Sequence, residues 1–168
     1  MENKQIPDSR ITSDKDEPNF PHRALNGRLN SNSFWNPLLT SATWMQVYLG
    51  LTKTVVGLVT QGYDVSWVMS YYVQTQSFGG EPQNMTHDSN DSKKLFTGNI
   101  DGDGSVTNAF ARPIETILIR VEPVDCNGIC QLRLEILGCN RPLTLSKVRG
   151  KVWRMQRCSL VNFLSIAV

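Results

Sequence analysis

Two histidines and four cysteines are the side chains of this sequence best suited to catalysis or metal binding. Nucleophilic catalysis needs a serine or cysteine beside a base that is itself held in orientation. His22 lies between Pro21 and Arg23 in a loop-like segment, which favours a solvated or hydrogen-bonded ring. Neither His22 nor His87 belongs to a recognised nucleophile motif, so the sequence predicts a protein that is not an enzyme.

Metal binding would have to use one of two sets of residues. Cys126, Cys130, Cys139 and a histidine have the donor types of a zinc site, but their spacing differs from that of zinc fingers. Residues 99–104 reproduce the first six positions of a calcium loop, yet the twelfth position is Phe110 instead of a bidentate glutamate. We therefore expect no metal and no cofactor. The alternative use of these cysteines is a disulfide bridge between Cys126 and Cys130, if the turn brings the two Cα atoms within about 7 Å.

Apolar residues at every second position predict the strands that must hold any functional loops. Residues 43–49 place Met45, Val47 and Leu49 on one face, which indicates a half-buried strand. Gly50 is expected to end it. Residues 54–60 are rich in β-branched side chains and predict a second strand, buried on both faces.

The same alternation recurs in the second half of the chain. Residues 115–123 predict one strand, and residues 131–138 predict another whose leucines and isoleucine face inward. In the latter, Arg133 and Glu135 are expected to face outward. Trp35 is expected to pack against the body. Strands without long helical segments favour an all-β fold that carries its function in loops.

Charge is unevenly distributed along the chain. Residues 1–139 contain 11 Lys and Arg against 15 Asp and Glu, whereas residues 140–168 contain six basic residues and no acidic ones. A mildly acidic body argues against nucleic acid as the main partner. No apolar run reaches the roughly 18 residues that a membrane-spanning helix needs.

Short motifs follow one another in a fixed order: M-E-N (1–3), I-P-D-S (6–9), R-A-L-N (23–26), W-x-Q-V-x-L-G (44–50), T-K-T-V (52–55), T-Q-G (60–62), W-V-M-S-Y (67–71), F-T-G-N (96–99), R-P-I (112–114), I-R-V-E-P (119–123) and L-R-L-E-I-L-G-C (132–139). Together they resemble the discoidin domain, also called the coagulation factor V/VIII type C domain. The likeness covers nearly all of residues 1–139. It implies an all-β, antiparallel, eight-stranded β-sandwich of jelly-roll type (galactose-binding-like), with loop spikes at one end. The family's usual tryptophan after residues 71–75 is missing, which leaves open whether Phe78 fills that core position.

The resemblance implies a non-catalytic extracellular recognition module that binds a cell-surface glycan or a matrix protein through three loops. An anionic phospholipid is the alternative ligand, and an accessory domain of a larger enzyme is the alternative role. A fragment without function is a third reading. Asp14, Asp16 and Glu17 make the first loop acidic, which disfavours an anionic bilayer.

The predicted contacts lie in three loops that match the binding spikes of the resembled family. Arg23 and Arg28 would pair with a carboxylate, sulfate or phosphate, or serve instead as structural ion-pair partners. The candidate residues are Asn19, Phe20, His22, Arg23, Arg28, Asn30, Asn32, Phe34, Tyr63 and Val65.

The resemblance also implies a cysteine before residue 1 that pairs with Cys139, so that this partner would be absent from the chain. Residues 1–5 are polar and lack the apolar core of a signal peptide. We therefore expect Met1 to be internal to a longer, multidomain secreted or surface protein. Asn84 and Asn90 each begin an N-glycosylation sequon. Residues 1–139 are predicted to form the domain and residues 140–168 a poorly ordered basic extension.

Overall fold

The computed structural model describes residues 6–14, 22–37, 43–87 and 91–139, together with short strands in the last 30 residues. No helix in these ranges is long and apolar enough to cross a membrane. The strands are β1 (Ile11–Ser13), β2 (Met45–Gln61), β3 (Trp67–Gln76), β4 (Gln83–Asn84), β5 (Leu95–Thr97), β6 (Ser105–Asn127), β7 (Arg133–Cys139), β8 (Lys147–Val148), β9 (Lys151–Val152) and β10 (Leu164–Ile166).

Two long strands, β2 and β6, contribute to both layers of a β-sandwich. The first part of β2 lies between β1 and the second part of β6. Its last part lies between β7 and the first part of β6. Strands β3, β4 and β5 extend one layer, and β10 extends the other. The pairings between the strands that the structure describes are antiparallel, which confirms the predicted fold class.

Gly50 bends β2 and does not end it. The prediction of two separate strands on either side of Gly50 is therefore wrong. Gly50 has φ +83°, a backbone conformation that favours glycine, and the Arg10 guanidinium fills the space where a side chain would stand. The register with β6 shifts between Tyr48 and Lys53. Such an irregularity lets a strand turn from one layer into the other.

The core lies between the two layers and is built from the alternating residues that the sequence indicated. Trp35 is 1% exposed, which confirms its predicted packing against the body. Burial of each large apolar side chain stabilises the fold by about 1.5–3 kcal/mol. Phe78 is 85% exposed and so does not fill the core position left by the missing tryptophan. The fully buried residues include Met45, Val47, Val55, Leu58, Ile119, Val121, Leu132, Leu134 and Ile136.

The prediction that Arg133 and Glu135 face solvent is wrong, since both side chains are buried. The reason lies in the tertiary structure around β7. The segment at residues 27–35 runs along β7, where the Leu29 amide donates to the Leu134 carbonyl and the Leu134 amide donates to the Gly27 carbonyl. Loops therefore cover the face that alternation alone assigns to solvent.

Strand β10 pairs antiparallel with residues 136–138 of β7, and β8 pairs with β9 as a separate two-stranded ribbon. Apart from these three short strands, residues 140–168 lie outside the part of the chain that the structure describes. The boundary between a domain at residues 1–139 and an extension at residues 140–168 therefore stays a prediction.

Tyr71 is a buried ionisable group in the core. Its ring stacks on Phe96 with centroids 5.6 Å apart, and the side-chain amide of Asn108 donates to its hydroxyl oxygen over 3.1 Å. Burial raises the pKa of the Tyr71 phenol well above its ordinary value, and the hydrogen bond from Asn108 opposes this shift only in part. The phenol therefore stays neutral in the folded protein at pH values where it ionises in the unfolded chain.

This difference predicts a loss of stability at alkaline pH. Above about pH 10 the unfolded chain binds fewer protons than the folded one, so the free energy of unfolding should fall by about 1.4 kcal/mol per pH unit through Tyr71. Below about pH 10 the Tyr71 phenol is neutral in both the folded and the unfolded chain, so it does not lower the free energy of unfolding there. Denaturation of the Tyr71→Phe variant between pH 8 and pH 11 should show a shallower alkaline decline than the parent. Equal slopes for the parent and Tyr71→Phe would contradict the prediction.

Candidate functional site

Four connecting segments meet at one end of the sandwich, and we call this region the loop end: residues 28–36, 62–66, 98–104 and 127–132. The turn at 62–66 lies in the middle. On one side the side-chain amide of Asn127 donates to the Val65 carbonyl over 3.0 Å. On the other side Gly102 packs so closely that a methyl group there would overlap the backbone of Asp64.

Arg133 binds three of these segments together from beneath. Its Nε donates to the carbonyl of Gly62 over 2.7 Å. Its two terminal nitrogens donate to the carbonyls of Ser31 over 3.1 Å and Gly102 over 3.2 Å. One planar guanidinium therefore fixes the separation of the three loops, which a flexible lysine ammonium would not do.

The charge of Arg133 is only partly balanced by its surroundings. Burial lowers the pKa of its guanidinium, while Asp103 and Tyr63 act in the opposite direction. The Asp103 carboxylate lies 3.9 Å away but is almost fully exposed, so the ion pair is weak. The Arg133 guanidinium also lies 5.2 Å from the centre of the Tyr63 ring, within cation–π range. Backbone carbonyls and an aromatic face are thus its main partners.

A stack of three rings supports the loop end beside Arg133. The His22 and Phe34 rings are nearly parallel with centroids 4.1 Å apart, and the Phe34 and Tyr63 centroids are 4.6 Å apart. The Tyr63 hydroxyl donates to the Asn32 carbonyl over 3.3 Å. The structure therefore brings together three predicted site residues, although Phe34 is only 8% exposed and acts as the middle of the stack.

The tips of the loop end combine exposed apolar side chains with carboxylates. Val65 is 71% exposed, Ile100 82% and Ile129 51%. The exposed acidic residues of the same turns are Asp64, Asp101 and Asp103. Arg28 within the loop end and Arg133 beneath it are both buried, so neither charge reaches the described surface of these turns. The surface offered to a partner is therefore apolar and acidic.

The remaining predicted contacts differ in their positions. Asn30 and Asn32 are exposed at the loop end, and Arg23 is half-buried near it. Arg28 is 4% exposed and forms an ion pair with Asp8. Of its two predicted roles, ligand contact or structural ion-pair partner, the structure shows the second. Its expected contact with a ligand is corrected accordingly, because a side chain held inside the body cannot meet a partner. Asn19 and Phe20 lie outside the described residues.

The cysteines confirm one expectation and correct another. Cys126 and Cys130 form a disulfide with their Cα atoms 5.2 Å apart. This bridge closes the turn that follows β6 and stiffens the loop end. Cys139 is also disulfide-bonded, so the prediction that its partner is absent from the chain is wrong. The residue to which it bonds lies outside the described ranges.

The calcium-like turn uses the side chains of Asp101 and Asn99 to hold backbone groups in and around it. The Asp101 carboxylate accepts hydrogen bonds from the backbone amides of Asp103 and Gly104. The Asn99 side-chain amide donates to the carbonyls of Thr60 and Gly104. Across the described ranges, no three His, Cys, Asp or Glu side chains are grouped closely enough to hold a metal ion. The absence of a metal stays a prediction.

The two predicted glycosylation sites have different outcomes. Asn84 is exposed in β4, where its side-chain oxygen accepts a hydrogen bond from Gln74 over 3.2 Å. Its position is thus accessible, and its modification stays a prediction. Asn90 lies outside the described residues.

Sequence reasoning missed Arg133, Ile100 and Ile129 as parts of this site. Arg133 gave no signal, because alternation with Leu132 and Leu134 indicates a solvated side chain. Ile100 and Ile129 did give one, since each is a large apolar residue alone in a turn rich in Gly, Asn and Asp. Grouped with the exposed Val65 at one end of the sandwich, these two residues indicate a contact surface.

Comparisons with known proteins agree with this geometry. The family model described as the F5/8 type C domain matches residues 9–136. Rat (Rattus norvegicus) lactadherin is 33% identical over 152 residues, which is 83% of this chain and 35% of lactadherin. The chain therefore spans about a third of the length of that relative.

Solved structures share the fold. Discoidin II of Dictyostelium discoideum superposes with a TM-score of 0.68 at 24% identity, covering 79% of this chain and 56% of that chain. The family 32 carbohydrate-binding module of C. perfringens NanJ, solved in complex with galactose, gives a TM-score of 0.57 at 16% identity, covering 78% of this chain and 96% of that one. At these identities the likeness establishes the fold.

Proposed function

Because the chain belongs to the F5/8 type C domain family, we propose that it is a non-catalytic module that recognises a cell-surface glycan through the loop end. F5/8 type C domains are binding modules. The observation that carries the proposal is the set of exposed tips, Val65, Ile100 and Ile129, fixed over Arg133 and surrounded by carboxylates. A rigid scaffold with polar and apolar groups at its loop tips is typical of recognition sites.

The chemistry of the tips favours a neutral glycan. Carboxylates such as Asp64 and Asp101 accept hydrogen bonds from hydroxyl groups, and the side chains of Val65 and Ile100 offer apolar contact to the carbon face of a sugar ring. A similar fold holds galactose in the NanJ module. A matrix protein that presents basic and apolar side chains is the other partner that this surface suits.

An anionic phospholipid is the second candidate, and the exposed Val65, Ile100 and Ile129 favour it, because apolar tips can enter the headgroup region. Three exposed carboxylates beside those tips oppose it, since an anionic surface repels them. The negative charge of the tips therefore favours a glycan over an anionic phospholipid as the ligand.

We propose an extracellular location within a longer chain. The Cys126–Cys130 disulfide supports it, because disulfides persist in oxidising compartments. A role as the accessory domain of an enzyme is compatible with the same binding site.

A glycan array with the full chain tests the proposal, using the double variant Val65→Ser, Ile100→Ser. We expect at least about a tenfold loss of glycan binding, because the apolar contact area is removed. The matched control is Leu51→Ser, Phe78→Ser, which removes two apolar side chains of nearly equal exposure, 73% and 85%, away from the loop end. This control should bind as the parent does.

Sedimentation with phosphatidylserine vesicles decides between the ligands. Retention of the parent by these vesicles, without recognition of any glycan, would replace the glycan with a lipid. Equal binding by the two double variants in both assays would overturn the loop end as the site.

A further inference from the structure

A cavity lies in the body of the sandwich, away from the loop end. Its volume is about 370 Å³, within the range of small-ligand sites. Its floor is apolar, formed by Met85, Phe110 and Ile114, which pack against the hydrophobic core. Two threonines, Thr75 and Thr86, also line it. The cavity thus has the mixed lining of a ligand site.

The fold builds this cavity at the corner where β6 passes from one layer to the other. Val55 pairs with Ile114, but Gly57 pairs with Ala109, so residues 110–113 bulge away from β2. The opposite wall is formed by residues 85–87 and Lys94, which lie between β4 and β5. Its backbone is fixed by hydrogen bonds from the Lys94 amide to the Met85 carbonyl over 2.8 Å and from the His87 amide to the Ser92 carbonyl over 2.9 Å.

Among the described residues that line the cavity, the ionisable ones are His87, Lys94 and Arg112, which are basic. No described carboxylate is among the lining residues. The Lys94 ammonium lies 4.9 Å from the centre of the Phe96 ring, and within the described part of the chain it has no ion pair. Positive groups above an apolar floor attract an anion that also carries an apolar surface.

We propose that this cavity is a second binding site, for a small anionic ligand with an apolar face: an acidic sugar or a short-chain carboxylate. The anionic group would pair with Lys94 and His87, and the apolar face would lie on Phe110 and Ile114. Arg112 adds positive charge at the rim. Thr75 and Thr86 would offer their hydroxyls to the polar edge of the ligand.

The cavity is independent of the glycan site proposed above. Thr75 lies near the end of β3 opposite to Trp67, which adjoins the loop end. At about 3.3 Å per residue the two positions are roughly 26 Å apart. The two ligands also differ in charge, because the loop end is acidic and the cavity is basic.

An NMR titration of the full chain tests the proposal with N-acetylneuraminic acid, galactose 6-sulfate and hexanoate as separate probes. At least one should shift the backbone amides of residues 85–87 and 110–114, and the comparison among them shows whether the ligand is a sugar or a carboxylate. Neutral galactose should not shift these amides. Sodium sulfate should shift them more weakly than the best probe, because it lacks an apolar face.

Lys94→Gln should weaken binding about tenfold, because a charge-assisted contact is lost. The matched control is Lys93→Gln, which removes the same charge from the neighbouring residue, whose ammonium pairs with Glu122 over 2.7 Å and does not line the cavity. It should change binding less than about twofold. If Lys94→Gln does not fold, His87→Gln provides the same measurement.

Three results would overturn the proposal: no shift at these amides with any probe, equal weakening by Lys94→Gln and Lys93→Gln, or sulfate binding as tightly as the best probe. The double variant Val65→Ser, Ile100→Ser separates the two sites. It should bind the cavity probes as the parent does, and loss of those shifts would assign the probes to the loop end, leaving the glycan proposal intact.

Discussion

Replacing Arg133 with methionine should lower the free energy of unfolding by about 3–4 kcal/mol, measured by chemical denaturation. Methionine fills similar space but leaves the carbonyls of Ser31, Gly62 and Gly102 without their donor. An unsatisfied buried polar group costs about 1–3 kcal/mol. Glycan binding should fall as well, since the three loops lose their common anchor.

A second arginine provides the control for this experiment. Arg120 bonds the side chains of Gln46 and Gln74, far along the sheet from the loop end. Arg120→Met should cost less than Arg133→Met and should leave glycan binding unchanged. Arg133→Lys should recover only part of the stability, because an ammonium cannot reach three carbonyls in one plane. A loss below about 1 kcal/mol for Arg133→Met would show that the carbonyls find other donors.

Replacing Gly102 with alanine should cost about 2–3 kcal/mol and separate two turns of the loop end. The new methyl group would overlap the backbone of Asp64, and backbone cannot rotate away as a side chain does. Overpacking of this kind typically costs about 1–3 kcal/mol, and the shift also weakens the bond between Arg133 and the Gly102 carbonyl. Amide hydrogen exchange should become faster at both turns.

Gly80 offers the matched alanine substitution. A methyl group there would make only ordinary contacts with Ser77, in an exposed turn at the other end of β3. Gly80→Ala should change stability by less than about 0.5 kcal/mol. If the two alanine variants are equally stable, the packing of the turn at 98–104 on the turn at 62–66 does not set the shape of the loop end.

The strands could be predicted because their signal is local. Met45, Val47 and Leu49, and again Leu132, Leu134 and Ile136, alternate with polar residues, and each set is buried on one face. The continuity of β2 through Gly50 could not be predicted in the same way. A glycine with positive φ serves equally well to end a strand or to bend it, and the partner strand decides.

The site was less accessible to sequence reasoning, because its parts come from distant segments. Phe34 and Tyr63 were predicted as contacts, and their rings do meet, yet Phe34 is buried as a support. Arg28 and Arg133 are both buried arginines with carbonyl partners. Whether an arginine is buried depends on which loops pack over it, and this tertiary contact cannot be predicted from one sequence.

The shared strands β2 and β6 have a consequence for how the chain folds. Met45 pairs with Val121, and Gln61 pairs with Ser105, so the central ladder joins residues that are far apart in sequence. Long chain segments must close before these contacts form, which makes folding slow compared with that of helical proteins of this size. Since neither layer is complete without the same two strands, neither half of the sandwich can fold before the other. The protein should therefore acquire its secondary structure and its buried aromatic signals in a single kinetic step.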